Sequence, residues 1–186
     1  MVWVLVILIL AVLVVAGWLI GSYNRLVTQR NRCHNSMAQI DVQLKRRHDL
    51  IPNLVETVKG YAAHEKEAFE KVSEYRAKAM SASTVSEKSQ TENMLTQALR
   101  SVFAVAEAYP ELKANQNFLQ LQDELSDTES KIGYARQIYN DSVMLYENAR
   151  QTFPTVLLAQ MFGFGKEEYF ELDATPEQRE APQVRF

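Results

Sequence analysis

One cysteine, Cys33, stands among 186 residues. A lone thiol closes no internal disulfide and builds no cysteine metal site, and it fits a reducing compartment. Glycine and proline are scarce, at 6 and 5. That scarcity argues against a turn-rich sandwich, and the Ala, Leu, Val, Gln, Glu, Lys and Arg that fill the chain favour helix, so the fold is expected to be all-α. Net charge is −3. No dense basic surplus is present to displace counterions, which sets nucleic acid aside as a partner. The sequence also lacks HExxH, Walker A, GxGxxG and GxSxG, and none of His34, His48 or His64 follows a Glu by three residues as a di-iron bundle requires. His64 and Glu65 are adjacent and point to different helix faces, so they do not share an ion. No catalytic residue, metal or cofactor is assigned, and an enzyme is not expected.

Charge is missing altogether from the first twenty-four residues, and Val2 to Ile20 is apolar throughout. Nineteen residues at ~1.5 Å each span about 28 Å, close to the ~30 Å hydrocarbon core of a bilayer. Trp3 and Trp18 lie near its ends and Tyr23 just beyond, where amphipathic rings prefer the interface. A transmembrane helix is therefore expected over 1–22. The rival reading, a cleaved signal peptide, wants positive charge ahead of a shorter apolar core, and nothing charged precedes Val2. Arg25, Arg30 and Arg32 follow the span, with Lys45, Arg46 and Arg47 beyond, which places the N-terminus outside and the remainder in the cytoplasm. Trp18, Tyr23, Arg25, Arg30 and Arg32 are expected to touch the membrane surface, each cation contributing ~1 kcal/mol beside anionic lipid.

Beyond the span, apolar residues recur at alternating steps of four and three: Cys33, Met37, Ile40, Leu44, Ile51, Leu54, Val58, Tyr61, Ala68, Val72, Tyr75 and Ala79. This heptad seam predicts one helix over 24–79, interrupted on the seam only by Arg47 and Glu65. The Ser/Thr-rich stretch 81–90 reads as a turn capped near Ser86, followed by helices over 86–108, 117–151 and, after Phe153-Pro154, 154–162. Residues 23–162 thus predict an antiparallel bundle of three long helices plus a short fourth, and 163–186 a loosely docked, extended acidic tail that Tyr169, Phe170 and Phe186 could strap down.

The second helix is too short to reach the membrane-proximal part of the first. If the third lies beside the second, Cys33, Met37, Ile40, Leu44 and Arg47 face water in a monomer, and they are expected to form a homo-oligomer seam. Arg47 and Glu65 need partners, because an unpaired buried charge is costly: carboxylates of the third helix for Arg47, Arg136 or Lys131 for Glu65, unless each snorkels out. Pro52 falls at an outer position inside the helix and is expected to kink it, leaving the His48 carbonyl to water. The acidic run Asp123, Glu124, Asp127 and Glu129 reads as a cation or docking site, or as a solvated face opposing cations of a neighbour. Cys33 is a redox thiol or a small buried hydrophobe.

YNRLV at 23–27, IDVQLKRRHDLIPNLVETVKGYAAHE at 40–65, YNDSVMLYENARQTFP at 139–154 and FGFGKEEYF at 162–170 resemble the bacterial LemA family in order and position. That resemblance implies a small helical bundle on one span of the bacterial cell (inner) membrane, N-terminus outside, and no agreed reaction. Magnetosome membrane proteins and neighbours of membrane-protease genes occur in or near the family, an association that hints at membrane organisation. The function expected is a self-associating, membrane-anchored scaffold in contact with the bilayer. The alternative is an adaptor of another membrane protein such as a protease, and an enzyme ranks third.

Overall fold

The computed structural model describes residues 1–171, in which six α-helices follow one another: α1 Val2–Lys59, α2 Lys66–Ser81, α3 Val85–Glu107, α4 Pro110–Lys113, α5 Gln116–Gln151 and α6 Thr155–Met161. The fold is an all-α bundle, with no strand among the described residues. Among the described residues its two compact units are Met1–Asp41 with Gly133–Glu168, and Val42–Ile132 with residues 169–171.

In the first unit the start of α1 is long and apolar enough to cross a membrane. Its side chains up to Ile20 stand exposed, save the half-covered Ala16, as a lipid-facing surface would. The same helix continues without a linker into packed bundle. Leu26, Cys33 and Ile40, seven residues apart, are fully buried, and α5 brings Ala135, Tyr139, Val143, Tyr146 and Ala149 to the same core. Ser36 and Ser142 join the two helices through their hydroxyls at 3.2 Å. After α6, Phe162 and Gly163 close the helix in a Schellman motif: Gly163 donates to Gln160 at 3.4 Å and Phe164 to Ala159 at 2.9 Å. Gly163 has φ +68°, a left-handed conformation open to glycine at little strain.

This burial corrects the expected oligomer seam. Cys33, Ile40, Leu44 and Arg47 are all buried within one chain and Met37 is partly covered. The short second helix does not leave the proximal seam open, because α5, 36 residues long, covers it in the first unit.

In the second unit the long helix expected over 24–79 is broken. α1 stops at Lys59, and Tyr61 and Ala62 both donate to the Val58 carbonyl, at 3.0 and 2.9 Å, to form a turn. Gly60, poor in helix propensity, sits at the break, and Ala62 is buried inside the turn. α2 then runs back along α1: Lys59 lies over the Phe69 ring at 5.6 Å, and Arg76 reaches the His48 carbonyl. Glu65 precedes α2, exposed, so it is no buried seam charge and needs no ion pair. A capping box starts α3, with Thr84 accepting from the Glu87 amide at 3.1 Å and Glu87 accepting from the Thr84 amide at 3.2 Å. Asn115 caps α5, its Oδ1 accepting from the amides of Asn117 and Phe118 at 2.9 and 3.1 Å. The core joins Ile51, Leu54 and Val58 of α1, Phe69 and Val72 of α2, Leu95, Leu99 and Val102 of α3, and Phe118 and Leu125 of α5.

Candidate functional site

The strongest polar cluster of the second unit is built on Arg47. Its place on the apolar seam of α1 carries the guanidinium inward, where the side chain is 2% exposed. There Nη2 donates to Glu92 of α3. Nη1 donates to Glu129 of α5 at 2.5 Å and to the Thr96 hydroxyl at 2.9 Å. Glu92, equally buried, turns its other oxygen to His48 Nε2 at 2.8 Å. A carboxylate only accepts, so Nε2 is the donor. Burial is the largest single influence on Glu92 and pushes its pKa up. The His48 hydrogen bond and the Arg47 charge together outweigh it, and the carboxyl lies below its ordinary value.

Glu129 belongs to the carboxylates anticipated for Arg47, and Glu92 does not. Glu92 nevertheless stands three residues before Leu95 and seven before Leu99, on the buried face of α3, a signal the sequence carries. Pairing Arg47 removes the snorkelling alternative. A cleft of about 460 Å³ beside the cluster is lined by Arg47, Thr96, Arg100, Phe103 and Glu129 among others. Arg47 and Glu129, which face it, bind one another. With Glu92 held ionised by two donors, the arrangement fastens α1, α3 and α5 and offers no free acid or base.

Pro52 lies inside α1 and leaves the His48 carbonyl without its backbone donor. The expected water is replaced by Arg76 of α2, whose Nε donates to that oxygen at 2.8 Å. One side chain thus satisfies the orphaned acceptor and ties α2 to α1. The acidic run is also engaged: Glu124 meets Arg46 at 4.0 Å, Asp127 takes Lys131 at 2.7 Å, and Glu129 takes Arg47. It reads as a face opposing cations.

The first unit holds a different cluster around the segment that follows α6. Tyr146 donates to the Gly165 carbonyl and Tyr139 to the Glu168 carbonyl, both at 2.7 Å. Burial, with Glu167 next, raises the pKa of both phenols and keeps them donors. The Glu147 carboxylate accepts from Arg150 at 2.7 Å, Gln151 at 2.8 Å and the Glu167 amide at 3.1 Å. Burial alone would raise Glu147, but Arg150 and the Glu167 amide draw it below its ordinary value. Residues 164–168 are therefore pinned along α5. In the second unit Phe170 is buried and Ser89 donates to the Glu171 carbonyl. Up to Glu171 the tail is held down, with Phe170 buried as the strap anticipated, and is not loosely docked, while 172–186, with Phe186, lie outside the described residues.

Cys33 sits inside this first unit, its thiol pushed up to about 11 by burial and then by Glu167. It is a small buried hydrophobe and no thiolate nucleophile. Trp18 and Tyr23 are exposed beside the end of the span, and Arg25, Arg30 and Arg32 are exposed after it. Arg30 and His34 approach Glu167 at 3.8 and 3.5 Å. Among the described residues no group of three or more His, Cys, Asp or Glu could hold a metal ion.

The profile of the LemA family matches residues 36–186. The chain belongs to the LemA family. It is 30% identical over 146 residues to Protein LemA of Metamycoplasma hominis, covering 76% of this chain and 65% of that protein. Magnetosome protein MamQ of Magnetospirillum gryphiswaldense is 25% identical over 178 residues, 82% of this chain and 65% of the relative. Magnetosome protein MamQ 2 of Paramagnetospirillum magneticum is 25% identical over 193 residues, 90% and 71% respectively. The chain thus spans about 65% of the length of the first two relatives. Neither the LemA nor the MamQ name denotes an enzyme, and with the exposed apolar helix this LemA kinship points to a membrane protein.

Proposed function

We propose that this member of the LemA family is a non-catalytic scaffold, anchored in the bacterial inner membrane by one span, that organises the bilayer or the proteins beside it. The observation that carries the reading is the helix shared by span and bundle: α1 passes from lipid-facing Ile20 to buried Leu26 with no linker, which holds the first unit close against the membrane. Arg25, Arg30 and Arg32 just after the span set the bundle on the cytoplasmic side. Homo-oligomerisation remains part of the reading on a different ground. Copies confined to one membrane share a high effective concentration. The buried stripe from Cys33 to Arg47 is not available for it, whereas the outer face of α5 exposes Tyr134, Met144 and Leu145.

The test is the mass of the full-length protein in nanodiscs, together with alkaline carbonate extraction of cell membranes. Several copies per disc and retention in the membrane pellet are expected. Release by carbonate would remove the anchor. Single copies at every protein-to-lipid ratio, with one stoichiometric protein recovered by crosslinking, would favour the adaptor reading.

A further inference from the structure

Around α6 the chain exposes large apolar side chains that the bundle does not need. Leu158 and Ala159 turn inward, while Leu157 is 57% exposed, Met161 74% and Phe162 55%, with Phe153 at 76% just ahead of the helix. Phe153, Leu157 and Met161 are spaced by four, and Gln160 is the one strongly polar side chain within the helix. In water such a cluster is unfavourable, because apolar surface of this size is driven to leave it.

Its position identifies what covers it. Leu158, Met161 and Phe162 share a hollow of about 310 Å³ with Leu19, Ile20 and Tyr23, so α6 packs directly on the end of the span. The Phe162 ring meets Tyr23 edge-on, centroids 5.0 Å apart, and Phe164 meets Tyr23 from 5.6 Å. Tyr23 lies three residues beyond Ile20, about 4.5 Å along the helix, a depth that belongs to the interfacial layer of a bilayer. Side chains packed on Ile20 and Tyr23 therefore lie at the boundary between acyl chains and headgroups. Exposed Arg25, Arg32 and Lys166 add cations to the same unit, where anionic headgroups would meet them.

We infer that α6 is an interfacial membrane helix whose Phe153, Leu157, Met161 and Phe162 insert into the acyl boundary of the leaflet beside the end of α1. The occupant of this apolar face is lipid, since the face is continuous with the lipid-facing surface of the span. The expected depth is that of an interfacial amphipathic helix, ~5–10 Å into the headgroup and acyl boundary. The inference rests on the span crossing the bilayer, and the experiment keeps the two apart.

Full-length protein carrying Cys33→Ala receives one new thiol at a time, Leu157→Cys, Met161→Cys, Val12→Cys or Met80→Cys, each at an exposed position. An environment-sensitive fluorophore is attached and the protein is reconstituted in phosphatidylethanolamine and phosphatidylglycerol vesicles. Quenchers are lipids brominated near the headgroup end of the acyl chain, lipids brominated deep in it, and aqueous iodide. The labels at 157 and 161 are expected to be blue-shifted, quenched by shallow brominated lipid and protected from iodide, while the label at 80 is quenched by iodide alone. If the label at 12 is quenched by deep lipid and those at 157 and 161 behave like 80, the interfacial helix is refuted and the span stands. If the label at 12 escapes lipid quenchers, the crossing fails and takes the inference with it. Labels at 157 and 161 shielded from iodide and lipid alike would assign the face to protein and also overturn the proposal.

Discussion

The two units lean on different polar groups to join distant pieces of chain. The first unit holds its last segment chiefly with the hydroxyls of Tyr139 and Tyr146, each aimed at a backbone carbonyl, and adds one buried carboxylate, Glu147, matched by the neighbouring Arg150. The other unit places full charges inside: Arg47 against Glu92 and Glu129, with His48 behind Glu92. A phenol that loses its acceptor leaves one modest hydrogen bond unmade, whereas a buried guanidinium that loses its carboxylate is left as uncompensated charge. The same task, joining distant pieces of chain in a core, is thus done gently in one unit and with high stakes in the other.

The largest effect is expected from Glu92→Ala. Breaking the buried Arg47–Glu92 pair, which leaves Arg47 only the half-exposed Glu129 as counter-charge and His48 without its acceptor, should remove ~3–5 kcal/mol of stability, read by denaturant unfolding, whereas exchanging Arg47, Glu92 and Glu129 together for apolar residues of similar size should recover most of that loss. A Glu92→Ala protein as stable as the parent would erase the contrast between the units. Acid sharpens it. Glu92 and Glu147 both have folded pKa values depressed below the ordinary 4.5, so their stabilisation is complete above that value and fades as pH falls through the lower folded pKa. Thermal unfolding of the parent should weaken steeply below pH 4.5, and Glu92→Gln should respond less.

Tyr146→Phe or Tyr139→Phe should each remove about 1 kcal/mol and, more visibly, open residues 164–168 to hydrogen exchange while the Arg47 cluster stays protected. Equal loosening of both clusters would show that the pinned segment is no local device. Smallest is the Pro52 pair. Arg76→Met should lose about 1 kcal/mol by leaving the His48 carbonyl unpaired, and much less in a Pro52→Ala background, where the amide of residue 52 reclaims that carbonyl. Additive losses would break the link between the proline and Arg76.

How much of this was legible in advance varies with the kind of interaction. Periodicity carried the buried face of the first predicted helix: Cys33, Ile40, Leu44, Ile51, Leu54, Val58, Val72 and Ala79 fall on its seam and are buried. The same periodicity concealed the turn at 60–65, because the step of four and three passes through Val58, Tyr61, Ala68 and Val72 whether the chain is straight or folded back. A one-dimensional pattern states which residues are covered and not by what. The stripe from Cys33 to Leu44 therefore looked open when α5 was placed too far from it. Glu92 was visible as a charge at seam spacing, and the tyrosine clamps were not, since tyrosine on a seam reads as an apolar ring until a carbonyl is found above its hydroxyl.

The uninterrupted passage of α1 from span to bundle makes this boundary tolerant of substitution and intolerant of length. With 3.6 residues per turn, one residue inserted between Ile20 and Leu26 would turn everything after it by about 100° about the helix axis. Leu26, Cys33 and Ile40 would swing off the face that α5 covers, or else Leu19 and Ile20 would swing away from α6. The spacing between these residues works as a phase setting, and selection here should act on the count of residues more strictly than on their identity.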